Sequence, residues 1–136
     1  MKAKLYLAIV VSVLLSLIAC PALAGDETTD PILMWVSRAR LAHVGRSSTG
    51  TDAMVAMIHV RDANRQKVED AWVTVGWTLP DGSPSFPPSV LTDEQGIARF
   101  TVWAGTGVYR LRVLDVTKAG WQYYEVVTAA YPFTAR

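Results

Sequence analysis

The chain has a single cysteine, Cys20, and only two histidines, His43 and His59, in 136 residues. A lone thiol forms no internal disulfide, so the domain must be held by its core. A zinc site takes about three or four protein ligands, usually with His or Cys among them. No His-x-His or Glu-x-x-His occurs, and no carboxylate is paired with a histidine by spacing. No metal and no other cofactor is therefore expected, and both histidines read as surface strand residues. Asp62, Asn64, Asp93 and Glu94 fall short of the roughly six to eight oxygens that calcium takes and read as turn formers. There is no Gly-x-Ser-x-Gly nucleophile elbow and no glycine-rich phosphate loop. Charge is sparse too: 18% of residues are charged, with a formal net charge of +1. Without a Lys/Arg cluster to neutralise a phosphate backbone, nucleic acid is not an expected partner.

What is present begins with a leader. Lys2 and Lys4 precede Leu5–Ala19, an uncharged and mostly apolar run. The run is shorter than the roughly 20 residues that span a bilayer, and it matches the charged and apolar regions of a secretory signal. Ala22 and Ala24 give the small-x-small pattern for cleavage after Ala24. A competing reading stays open: Leu17-Ile18-Ala19-Cys20 resembles a bacterial lipobox, in which Cys20 is acylated and becomes the mature N-terminus. The expected organisation is a signal peptide over 1–24, a linker over 25–36, one domain over 37–130 and a tail over 131–136. No transmembrane helix is expected in the mature chain.

The remainder alternates. Met54, Ala56, Ile58 and Val60 share one parity, as do Val73, Val75 and Trp77, then Ala98, Phe100 and Val102, then Tyr109, Leu111 and Val113. A period of two marks half-buried strands. Turn chemistry separates them at Asp62–Gln66, Leu79–Pro84, Asp93–Gly96, Gly105–Gly107 and Lys118–Gly120. A short strand is expected at 89–92 and a last one through Tyr123–Val127. Ile32–Val44 is ambiguous. Asp30-Pro31 suits a helix start, and Ile32, Trp35, Val36 and Ala39 have helical spacing, yet Arg38–Ala42 alternates; a strand over Ser37–Val44 is the favoured reading. About seven antiparallel strands with turns between them predict an all-β sandwich.

Four stretches, in order, carry a family resemblance: His59-Val60-Arg61-Asp62-Ala63-Asn64; Val68-Glu69-Asp70-Ala71-Trp72-Val73-Thr74-Val75-Gly76-Trp77; Thr92-Asp93-Glu94-Gln95-Gly96-Ile97-Ala98-Arg99-Phe100; and Tyr109-Arg110-Leu111-Arg112-Val113. Over roughly residues 38 to 127 the chain resembles bacterial immunoglobulin-like domains of the invasin type, including those appended to secreted proteases. Asp70 stands where that family usually has Gly. The resemblance implies an immunoglobulin-like β-sandwich, with Trp77 between the sheets and Tyr109 as a tyrosine corner. It does not specify a function, because such folds host many.

Parity also predicts apolar residues facing outward. Val55 and Met57 lie opposite in parity to Ile58 and Val60, Trp103 to Phe100, and Trp72 to Trp77. Val55, Met57, Trp103 and Trp72 form the candidate contact surface; the first three are expected on one sheet, facing a partner, another copy, or Ile32–Val36 folding back. Trp72 is expected beneath Arg110 or Arg112 as a cation–π pair. The expected role is an exported, non-catalytic binding or assembly module at the bacterial cell envelope or outside the cell, periplasmic or extracellular. Its partner is a protein or a polysaccharide, the latter stacking on Trp72 and Trp121, and the chain is a monomer or weakly self-associating. The alternatives are a lipid-anchored envelope accessory protein, or a small secreted protease inhibitor acting through the stiff Pro80–Pro88 loop. Expressed with its own leader, the protein should give an intact mass beginning at Gly25, in the soluble fraction. A mass beginning at Cys20 with acyl chains, in the membrane fraction, would assign the anchored alternative.

Overall fold

Side chains of a strand alternate between its two faces, so an apolar residue at every second position can be buried only on an extended chain. The computed structural model, which describes residues 30–125 and 127–133, consists of such strands. They are β1 (Ile32–Arg46), β2 (Asp52–Asp62), β3 (Trp72–Thr78), β4 (Pro84–Ser85), β5 (Val90–Leu91), β6 (Ile97–Ala104), β7 (Gly107–Thr117), β8 (Trp121–Tyr123) and β9 (Thr128–Phe133). The leader, Cys20 and parts of the expected linker and tail lie outside the described residues. Among the described residues no helix is long and apolar enough to cross a membrane.

Two sheets pack against each other as a β-sandwich. The first has the order β6-β2-β1-β8; the second runs β4-β3-β7-β9, with β5 also paired to β3. Consecutive pairs such as β1–β2 are antiparallel, but β1 and β8 run parallel, so the sandwich is not antiparallel throughout. Met54, Ala56, Ile58, Val60, Val73, Val75, Ala98, Phe100, Leu111 and Val113 are buried in one core, as their parity requires. Trp77 is 1% exposed and Tyr109 fully buried. Each such aromatic side chain contributes about 2–3 kcal/mol by burial. The Tyr109 hydroxyl donates to the Gly105 carbonyl at 2.6 Å, four residues upstream, as a tyrosine corner does.

Three boundaries differ from expectation. Ile32–Val36 is neither linker nor fold-back segment: Ile32–Arg46 is one strand, and Met34 and Val36 are buried in the core. The alternation slips because the β1–β2 register shifts between Val36 and Arg38 and again between His43 and Gly45. Each shift is a bulge, one extra residue in one strand. Near the C-terminal end, the last expected strand is two. Trp121–Tyr123 pairs with Ile32–Met34 in the first sheet, and Thr128–Phe133 pairs with β7 in the second. The tail expected from 131 therefore starts inside β9.

Two of the turns use left-handed backbone. Gly96 sits at φ 69°, and a Cβ there would lie 2.9 Å from the Val60 carbonyl oxygen. Asp70 takes the same left-handed region at φ 54°, which Asp tolerates better than most residues. Buried Thr92 ties this segment down. Its hydroxyl donates to the Val68 carbonyl at 2.6 Å and accepts the Ala71 N–H at 2.9 Å. Thr92→Val keeps the shape but strands both backbone groups, so it should cost about 1–3 kcal/mol, read as a lowered denaturant midpoint with an unchanged slope.

Candidate functional site

The outward residues of β2 and β6 are set by register. Ala53 lies opposite Trp103, Val55 opposite Thr101, Met57 opposite Arg99 and His59 opposite Ile97. On the other side of β2 the partners are Gly45, Ala42, Arg40 and Arg38 in the same order. Directly opposed residues share a face, so Val55, Met57 and Trp103 do lie together on the outer face of the first sheet. Trp103 is 55% exposed, while Val55 and Met57 are half-buried. Arg38, Arg40 and Arg99 border this apolar strip. Arg99 also holds Asp93 in an ion pair. Burial first, and then the charges of Arg61, Arg38 and Arg99, push His59 below its ordinary value, with Asp93 opposing them. Parity made both the apolar strip and the arginines beside it legible; the bulge in β1 hid only the phase of Met34 and Val36 relative to Arg38–Leu41.

Trp72 is 49% exposed but belongs to the other sheet, and it is not part of this strip. Its register partners are Thr117 and Leu91, whereas Arg110 lies opposite Thr78 and Arg112 opposite Gly76. The arginines are thus several residues along the ladder from Trp72, and the expected cation–π pair does not form. Lys118 makes such a contact instead, 5.4 Å from the centre of the Trp121 ring. Trp72, Trp121, Tyr123, Asp115 and Gln122 line one open groove beside it, which suits a ligand with flat apolar faces and hydroxyl edges. The Tyr123 hydroxyl is pushed up to about 12, by burial first and then by Glu125 and Asp115.

His43 is also more than a surface strand residue. Asp52 has a buried carboxylate; its Oδ1 lies 3.2 Å from His43 Nε2 and accepts Arg46 Nε–H at 2.9 Å, and its Oδ2 accepts Arg46 Nη2–H at 3.1 Å. Asp52 has the same parity as Met54, Ala56 and Ile58. A carboxylate at inward parity was the signal for this cluster, masked by its place beside a turn. The hydrogen bond from Arg46 is the largest cause holding the carboxyl below its ordinary value, with His43 adding to it.

The remaining candidates are structural. Asp62 Oδ1 accepts the N–H groups of Asn64 and Gln66, and Asp93 Oδ1 those of Gln95 and Ile97, which are turns closed by Asp side chains. Among the described residues no group of three or more His, Cys, Asp or Glu is placed to hold a metal ion. The Pro80–Pro88 loop folds into a hairpin, with Leu79 N–H bonded to the Ser83 carbonyl and β4 paired to β3. Its Phe86 lies across Gly76, where a Cβ would come within 3.0 Å of the ring. No protein-family model matches the chain, and no curated protein matches its sequence.

Asp52 stabilises the fold while ionised. Its folded-state pKa lies below the ordinary 3.8, so this contribution is complete above that value and is lost as pH falls through the depressed one. Melting temperature should decline modestly as pH falls through 6.5, where His59 is protonated in the unfolded chain before the folded one, and should drop further below about pH 4 as Asp52 is protonated. Asp52→Asn should lower it at neutral pH and make the acid drop shallower. The residual drop belongs to Asp81 and Asp93, held low mainly by Ser83 and Arg99 respectively.

Proposed function

We propose that this chain is an exported, non-catalytic immunoglobulin-like module that binds or assembles with a partner at the bacterial cell envelope or outside the cell. The observation that carries this reading is Trp103, exposed beside Val55 and Met57 on an arginine-rimmed sheet face. Large exposed aromatics with arginines nearby are the residue types that dominate binding energy at interfaces. The immunoglobulin-like assignment draws on the pairings β1–β2–β6 and β3–β7–β9 and on the Tyr109 corner, which correspond to the two sheets of that fold. Two pairings depart from the scheme: β5 joins β3 rather than β6, and β8 runs parallel to β1. The non-catalytic reading draws on Asp52, whose two oxygens are engaged by Arg46 and His43 at a strand end.

A partner for the first-sheet face would combine apolar and acidic groups, which is protein-like. The Trp72–Trp121 groove favours the polysaccharide reading, and the two sites are compatible on one molecule. The inhibitor alternative draws on Phe86, 70% exposed yet backed by Gly76. Changing Met57 and Trp103 together to Gln should weaken capture of the envelope partner by roughly 30-fold, the scale of a hot-spot loss of about 2 kcal/mol, with little change in melting temperature. Undiminished capture would remove this face from the function, and a large fall in melting temperature would make its residues structural.

A further inference from the structure

A sheet edge carries a row of unpaired N–H and C=O groups, and folded proteins blunt such edges by keeping them short or by placing proline, bulges or charges on them. Most edges of this sandwich are blunted. β4 and β5 have two residues each and β8 has three; β1, open on that side beyond its three-residue pairing with β8, is bulged twice. β9 carries Pro132, which has no N–H to offer. β6 is different: it has eight residues, no proline, and a register with β2 that runs unbroken from Asp52↔Ala104 to His59↔Ile97.

The hydrogen bonds at its start show which groups face the open side. The Gly96 carbonyl accepts from Val60 N–H at 2.8 Å, towards β2, while the Ile97 carbonyl accepts from Asp93 N–H at 3.0 Å, away from β2. Backbone direction alternates along a strand, so Arg99, Thr101 and Trp103 also point their N–H and C=O groups away from β2. All three residues are exposed. Among the described residues, no backbone bond from outside the sheet reaches them.

We propose that β6 is a self-pairing edge: two copies of the chain join their first sheets antiparallel through β6, about a two-fold axis at Thr101. This register is self-complementary. It sets Arg99 of each copy opposite Trp103 of the other on the outer face, a cation–π pairing made twice. On the inner face it sets Phe100 opposite Val102, which keeps apolar groups together. An axis at Arg99 would instead oppose two guanidinium groups, which is unfavourable. The axis at Thr101 yields about six backbone hydrogen bonds and an isologous dimer. The two apolar strips then lie on one continuous sheet.

The test is sedimentation equilibrium of the full chain expressed with its leader, from about 1 μM to about 1 mM, the range in which weak association becomes visible. A monomer–dimer equilibrium is expected. Thr101→Pro removes an N–H that faces the open side and should leave a folded monomer throughout. Thr101→Lys, which stays on the exposed face and opposes like charges at the axis, should raise the dissociation constant at least about tenfold; it decides the matter if the proline variant does not fold. A wild-type chain that is monomeric at every concentration overturns the proposal, and so does a dimer that both variants leave intact. Partner binding through the outer face is read separately by Met57→Gln alone, because Met57 lies on β2, outside the seam, whereas Trp103 takes part in both contacts.

Discussion

Trp77 and Tyr109 fill the space between the two sheets from neighbouring strands β3 and β7, and much of the molecule depends on their being there. With a single cysteine in the sequence, no internal disulfide sets the distance between the sheets. Large aromatic side chains do so by burying area that cannot be recovered in any other arrangement. Once they point inward, period-two alternation assigns a face to the other residues of β3 and to β7 as far as Val113; beyond it a bulge at Leu114 brings Val116 inward. Tyr109 carries the constraint into the turn, because its hydroxyl holds the Gly105 carbonyl and so places the chain that links β6 to β7. Exposed Trp103 lies two residues before that carbonyl.

Four strands were readable because they alternate over long stretches: β2, β3 and β6 throughout, and β7 from Tyr109 to Val113, before its bulge at Leu114. β1 resisted for a definite reason. Its inward residues Met34, Val36, Ala39 and Leu41 are alternating pairs separated by one surplus residue, and the sum of two strand steps and a bulge imitates helical spacing. The ends of β8 and β9 were hidden because the chain changes sheets between them, and pairing partners far away in sequence decide that crossing. The same long-range dependence explains the misplaced cation–π pair. Parity placed Trp72, Arg110 and Arg112 on one outer face correctly, but the offset between β3 and β7 is a property of the ladder and not of either segment. Val55, Met57 and Trp103 needed only parity and the adjacency of two strands, so that part of the candidate site was legible.

Carboxylates and arginines have different uses in this fold. Asp62, Asp81 and Asp93 close turns through their own backbone, and Asp52 closes the end of the β1–β2 hairpin with Arg46 and His43. The acids are thereby committed within the structure at turns and strand ends. Arg38 and Arg40 instead stand on a sheet face, beside apolar side chains. Arg110 and Arg112 do the same on the second sheet, so both outer faces carry exposed arginines.

The bulge at Ser37 bears on how the length of this chain can vary. Removing a residue from inside a regular strand inverts every side chain on one side of the cut, exchanging core for surface. Ser37 is already the surplus residue between Val36↔Val60 and Arg38↔His59. It is exposed, with its hydroxyl donating to the His59 carbonyl at 3.2 Å. Loss of that one residue would leave Met34 and Val36 facing inward on one side, with Ala39 and Leu41 on the other, in a strand of ordinary pleat. Among the positions of β1, the Ser37 codon is therefore one where a deletion can be absorbed, and a descendant lacking it would display the strand pattern that this sequence obscures.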